Sequence, residues 1–258
     1  MIRSILTNAY KIKLFKRLIP SLIKYISKYN KKLINIDHNN RNIYLNLKNP
    51  IDREIYLKNA YEKEQINYLI DIIKKEKIKI FYDIGAHTGY YSLQVSNLDD
   101  VFIHSVEPIK SNYDHLKLNI ESNNIKNIKI YNFALSNENT NKEMWVSDKN
   151  KTGGYAIYNN NDEELKKYDL SKNYRTIVKT IKGDDIFKTI GSIIALKIDV
   201  ERHEKELIDG IKTLLLNNKA VIQIEIFDKR KKEVEELLNS INFIQFYSIG
   251  KDYYFKNF

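Results

Sequence analysis

FYDIGAHTGYYS, residues 81–92, follows an apolar run (Ile78, Ile80, Phe81) that reads as a buried strand, and it leads into an amphipathic segment. Strand, glycine turn and helix, in that order, build a nucleotide-sized site at the carboxyl end of the first strand of an α/β sheet. Gly85 lets the backbone turn tightly and approach a ligand. Gly89 lets the start of the helix pack closely. The spacing Asp83-x-Gly85-x-x-x-Gly89 departs from the G-x-G-x-x-G of dinucleotide sites.

The acid before the first glycine narrows the ligand. A carboxylate at Asp83 repels a pyrophosphate and suits a cation or a hydroxyl. S-adenosylmethionine (SAM) offers an ammonium, a sulfonium and a ribose, with no phosphate. Glu107 ends the next apolar run, VFIHSVEP, where an acid takes ribose hydroxyls. The two together favour a SAM site over a tight turn followed by a solvated Glu107.

Outward from this stretch the pattern alternates. A helix at 60–76, with Ile66, Leu69, Ile70 and Ile73 as its inward stripe, precedes a strand at 78–84. A helix at 88–97, a strand at 101–107, a helix at 111–123 opened by Ser111 and a strand at 127–134 follow. Alternation resumes with a strand at 193–199, a helix at 203–217, a strand at 220–227 and a helix at 229–240. FIQFYSIG and DYYFKNF close the chain as an antiparallel pair. The prediction is an α/β fold: a mostly parallel, seven-stranded, Rossmann-like sheet of the class I methyltransferase kind with an antiparallel C-terminal hairpin. Residues 60–258 form that domain. Residues 137–182 interrupt it with Met144, Trp145, a Gly153-Gly154 pair and the polar run Asn159 to Asp162. They read as an inserted hairpin and loop over the mouth of the sheet, where substrate is chosen. Trp145 and Tyr155 could stack on a sugar, and core packing suits the tryptophan equally.

Residues 1–59 read as a basic helical extension with short strands. Ile12, Phe15, Ile19, Leu22, Ile23 and Ile26 share one helical face, and Pro20 starts a second helix or kinks the first. Ile43, Leu45, Leu47, Ile55 and Leu57 suggest a hairpin or two small strands around Asn49-Pro50. Formal net charge is +10, and residues 1–32 carry nine basic residues and no acid. The rest of the chain is near neutral, which argues against a nucleic-acid-binding body. The basic helix is either a cap on the main domain or a peripheral contact with an anionic membrane. There is no cysteine, which excludes disulfides and fits a cytoplasmic protein. No apolar run reaches the ~18 residues of a membrane span.

The second informative stretch is LKIDVERHEKELIDG, Leu196 to Gly210. Lys197, Asp199, Glu201, His203 and Glu204 crowd the carboxyl end of a strand, the end that faces the ligand crevice. With FYDIGAHTGYYS, VEP and the NFALS segment at 132–136, in that order, the chain resembles the FkbM family of SAM-dependent methyltransferases. The resemblance covers about residues 60–258. It implies O-methyl transfer, often to a hydroxyl of a sugar, glycolipid or polyketide. By position it implies that Asp83, Gly85 and Gly89 line the methionine side of SAM, that Glu107 takes the ribose, and that Ala134 borders adenine. His87 would contact the cofactor or fill space. Lys197, Asp199 and Glu201 would lie near the acceptor. The family has glycine after that glutamate, where this chain has Arg202.

An alcohol needs a base or a metal to react at neutral pH. Asp199 or His203 would accept its proton and Lys197 would orient it. Asp199, Glu201 and Glu225 could hold a hard divalent ion, although no spacing demands one. His104 reads as a core histidine, His38 and His115 as surface positions. The expected reaction is O-methylation of a sugar or sugar-bearing intermediate. A lipid-linked acceptor, a nucleic-acid-binding relative and a non-catalytic SAM sensor are the alternatives.

Overall fold

The structure, a computed structural model, describes residues 2–29, 33–146, 156–157, 174–227 and 230–258. Helices α1 (Ile2–Tyr10) and α2 (Phe15–Tyr29) lead into strands β1 (Ile34–His38) and β2 (Arg41–Leu45), an antiparallel hairpin. Then follow α3 (Pro50–Lys58), α4 (Lys63–Lys75), β3 (Ile80–Ile84), α5 (Tyr90–Val95), β4 (Phe102–Val106), α6 (Lys110–Glu121) and β5 (Ile128–Tyr131). The interruption supplies β6 (Ala134–Ser136), β7 (Thr140–Val146), β8 (Ala156–Ile157) and β9 (Tyr174–Lys182). The chain ends with α7 (Gly183–Ile186), β10 (Ile193–Ile198), α8 (Glu204–Gly210), α9 (Lys212–Leu216), β11 (Lys219–Glu225), α10 (Lys231–Asn239), β12 (Ile244–Ile249) and β13 (Asp252–Lys256).

Among the described residues the main sheet has the order β12-β13-β11-β10-β3-β4-β5. β3, β4, β5, β10 and β11 run parallel, and β13 pairs antiparallel with both β11 and β12. β3 lies at the switch point, with β4 on one side and β10 on the other, so the crevice opens where the glycine turn sits. Helices cover both faces. Phe81, Leu93, Ile103 and Ala195 pack toward one, and Tyr82, Leu196, Leu207 and Ile222 toward the other. The first 59 residues join the former cluster through Ile19, Ile43, Ile55 and Leu57.

The fold departs from the sequence reading in several places. Residues 50–58 are a helix, not strand. Asn49 caps it by accepting from the Ile51 amide at 3.1 Å, and Pro50 sits in its first turn, where the lost N–H costs nothing. The helical break near the amino terminus falls at residues 11–14, and Pro20 lies inside α2. The strand expected at 127–134 divides, with β5 in the main sheet and β6 in a separate four-stranded sheet ordered β6-β9-β7-β8. The helix expected at 203–217 breaks at Ile211, which ends α8 and begins α9. His38 is buried and contacts the Tyr90 hydroxyl at 3.0 Å, and His115 reaches the Tyr44 carbonyl, so neither is a free surface group. Gly153, Gly154, Tyr155 and the run 159–162 lie outside the described residues. No helix among the described residues is long and apolar enough to cross a membrane.

Candidate functional site

The carboxyl ends of β3, β4, β10 and β11 open on a cavity of about 270 Å³. Gly85, at φ +82°, carries the chain out of β3, and a Cβ there would meet the carbonyl oxygen of Asp199 at 1.9 Å. The Asp199 amide donates to the Ile84 carbonyl at 3.0 Å, so the two turns are stitched backbone to backbone. That approach admits only glycine. Gly89, at φ +89°, answers to packing instead: its missing Cβ would strike the Leu116 side chain on α6.

Glu107 leaves β4 and turns into the cavity. One carboxylate oxygen accepts from the His87 amide at 2.9 Å and the other from the Ile109 amide at 2.8 Å. Burial pushes its pKa up to about 8 against those amides. His87 lines the cavity in a left-handed conformation, and its ring meets Asn49 at 3.4 Å. Ile109, Ala134, Leu135, Met144 and Ile157 make an apolar wall beside Glu107. Asp199, Glu201 and Glu225 add acidic side chains to the lining, Tyr61 lies within electrostatic reach of Asp199 and Glu225, and Ile51 lines the cavity as well.

The expected site residues separate into two groups. Gly85, His87, Glu107, Ala134, Asp199, Glu201 and His203 line the cavity. Asp83, Gly89 and Lys197 do not. Asp83 points into the sheet-helix layer, where its carboxylate accepts from the Ser92 amide at 3.0 Å and from the Ser92 hydroxyl. Ser105, Asp83, Lys197 and Gln223 are register partners on four adjacent strands, so their side chains form one buried polar row. The expected contact of Asp83 with a cofactor is therefore replaced by a role in fixing α5 beneath the turn. Lys197 is corrected likewise: its ammonium sits 2.8 Å from an Asp199 oxygen and 5.0 Å from the Tyr91 ring centroid. Burial acts to lower its pKa, but the carboxylates of Asp199, Glu62 and Asp83 outweigh that and hold it above its usual value. It holds Asp199 from within the sheet layer and does not line the cavity.

His203 contacts the Ser136 hydroxyl at 3.0 Å, and burial takes its pKa down to about 4. Such a ring is neutral at pH 7 and a weak proton acceptor. Glu201, at φ +46°, has its pKa raised to about 7 by burial and by the neighbouring Asp199 and Glu204 charges. Glu225 is raised to about 8 by burial and by Asp199. Arg202 follows at φ +75°, which explains why glycine suits that position. Its carbonyl accepts from Arg230 and its amide donates to Glu204 at 2.8 Å, which hold the turn.

Among the described residues, no three His, Asp or Glu side chains gather closely enough to hold a metal ion, so Asp199, Glu201 and Glu225 line the cavity without forming a cage. Trp145 does not line the cavity; the Arg175 guanidinium lies 4.0 Å over its ring. Sequence reasoning missed Ile51 and Tyr61, which come from outside or at the edge of the recognised domain. Asn49-Pro50 was the available signal that α3 begins at the site.

The cavity chemistry suits SAM. An apolar wall accepts a flat base, and Glu107 stands beside it for a diol. The family model described as "Methyltransferase FkbM domain" matches residues 83–248. No curated protein sequence gave a match. Among solved structures the chain is similar to human methyltransferase 10 domain containing protein, at 12% identity and TM-score 0.49, covering 92% of this chain and 95% of that one. It is also similar to precorrin-6y C5,15-methyltransferase from Geobacter metallireducens GS-15, at 13% identity and TM-score 0.43, covering 76% and 88%. A third is M. jannaschii TYW2 in complex with AdoMet, at 9% identity and TM-score 0.41, covering 88% and 85%.

Proposed function

The chain belongs to the FkbM family of SAM-dependent methyltransferases, and from that premise we propose that it methylates a hydroxyl of a sugar or sugar-bearing intermediate in the cytoplasm. The observation that supports this acceptor is the acidic lining of the cavity. Asp199, Glu201 and Glu225 can accept hydrogen bonds from several hydroxyls of one polyol. Among the described residues, no lysine or arginine lines the cavity to receive the phosphate backbone of a nucleic acid.

When bound, the cofactor supplies an electrophilic methyl group. The chain's share is placement and proton management. Lys197 fixes Asp199, which accepts a hydrogen bond from the acceptor hydroxyl and orients it. Glu225, with its pKa raised to about 8, takes the proton as the oxygen loses it. His203 stays neutral and holds the α8 turn to Ser136. Met144 and Ile157 close the cavity on the side of the insertion.

The test is incubation with radiolabelled SAM and a panel of nucleotide sugars, cell-envelope extracts, RNA and protein. Label in the sugar or envelope glycan fraction, recovered as an O-methyl sugar after hydrolysis, is the expected result. Label confined to RNA or protein would overturn the acceptor class.

A further inference from the structure

The first two helices turn one apolar face inward and leave another uncovered. On α2, Ile19 and Ile23 are buried one turn apart, while Leu18 and Leu22, on the adjoining face, are 58% and 51% exposed. Leu14, in the turn between the helices, is 72% exposed, and Ile12 beside it is also in solvent. Single exposed leucines are ordinary on a soluble surface; a continuous stripe running from a turn along a helix is not.

The charge around this stripe is of one sign. Lys11, Lys13, Lys16, Arg17 and Lys24 are exposed, and no ion pair among the described residues engages them. Residues 1–32 contain no acid at all. Lys11 and Lys16 also border a groove between α1, α2 and α3, where Thr7 and Tyr10 add hydroxyls. A second copy of the chain would set these cations against one another with nothing to neutralise them. A surface that is apolar within and anionic at its rim matches both features.

We propose that the α1–α2 face docks on a bilayer containing anionic phospholipid, with Leu14, Leu18 and Leu22 entering the acyl boundary and the surrounding lysines at the headgroups. The hairpin is fixed to the catalytic body: Arg3 donates to the Tyr56 carbonyl at 3.1 Å and to the Asn59 side chain at 2.9 Å, both at the end of α3. Ile51, at the other end of α3, lines the cavity. Docking therefore sets the cavity mouth at a defined height above the membrane, whichever acceptor it takes.

The experiment is sedimentation of the full chain with vesicles of phosphatidylcholine alone or mixed with phosphatidylglycerol, at rising salt. Binding to the mixed vesicles only, weakening with salt, is expected. Leu18→Asp/Leu22→Asp and Lys13→Glu/Arg17→Glu should each lower the partition coefficient at least tenfold. Both pairs lie on the surface, and unchanged SAM affinity by calorimetry confirms that the variants are folded. Absence of binding to anionic vesicles, or equal binding by folded variants, would overturn the proposal. So would a wild-type dimer in analytical ultracentrifugation that Leu18→Asp/Leu22→Asp converts to monomer, since the face would then belong to a second copy.

Discussion

Gly85 and Asp199 meet so closely that the Cβ glycine lacks would lie 1.9 Å from the aspartate carbonyl oxygen. The obstacle is backbone, which cannot swing aside as a side chain can. Gly85 also sits at φ +82°. Gly85→Ala should therefore cost about 2–4 kcal/mol of stability from the combined backbone and overlap penalties. It should also part the two turns that frame the cavity. Thermal melting and SAM calorimetry check this; a variant with native melting temperature and affinity would show that the contact is not required.

Glu107→Gln should weaken both folding and binding. Both carboxylate oxygens accept from backbone amides, and the side-chain nitrogen of glutamine cannot, so the His87 or the Ile109 amide loses its partner at a cost of about 1–3 kcal/mol and the melting temperature should fall. A charged acceptor binds a ribose diol more strongly than a neutral one, and its loss should weaken SAM binding by about 10–100-fold, the scale of one hydrogen bond to a charged group. Equal affinity in calorimetry would remove Glu107 from the cofactor site.

The pH dependence has a definite sign. Glu107 and Glu225 have pKa values raised to about 8 and Glu201 to about 7, from an ordinary value of 4.5. The stability these groups allow is complete below pH 4.5 and is lost as pH rises through 7 to 8. His104 and His203, lowered by burial to about 4, oppose this trend below pH 6.5. Above pH 6.5 the carboxylates act alone, and the free protein should melt progressively lower up to pH 8. Binding a cation beside them should release protons. Calorimetry in buffers of different ionisation enthalpy reads that release; proton uptake at pH 7.5 would contradict the site electrostatics.

Glu225→Gln should lower kcat by about 10²–10⁴-fold, the usual worth of a general base, while changing the SAM dissociation constant less than about tenfold. The wild-type rate should climb with pH to a plateau above about 8, and the variant should lose that rise. A variant with the wild-type profile would return the base role to Asp199, whose replacement by alanine should otherwise cut turnover through misplacement of the hydroxyl.

Arg202→Gly tests the strained turn. At φ +75° an arginine costs about 1–2 kcal/mol that glycine does not, partly offset by the freer unfolded chain. The variant should melt at or slightly above the wild-type temperature. Because the Arg202 charge lowers the Glu201 pKa, its removal should move that titration upward, which carboxylate NMR can follow.

The sheet was legible because its strands are short apolar runs bounded by glycine and by acids. The site was legible where backbone decides the geometry, as at Gly85, or where a side chain ends a strand, as at Glu107, Asp199 and Glu201. Asp83 and Lys197 misled because each lies two residues short of a cavity-lining position, on the same strand face as Gly85 and Asp199 but inside the sheet-helix layer instead of at its mouth. Their shared register, visible only once β3 and β10 pair, sets them side by side in the buried polar row. Tyr61 and Ile51 were hidden by distance along the chain, since helix α3 reaches the cavity only through tertiary packing of the amino-terminal segment.

Two segments foreign to the sheet help to line the cavity, Ile51 and Tyr61 ahead of it and Met144 and Ile157 in the insertion. The second pair packs with Ile109 and Ala134, the wall beside Glu107. Exchange of that insert would therefore change the grip on the donor together with the fit of the acceptor, so the two preferences are tied and cannot drift apart independently.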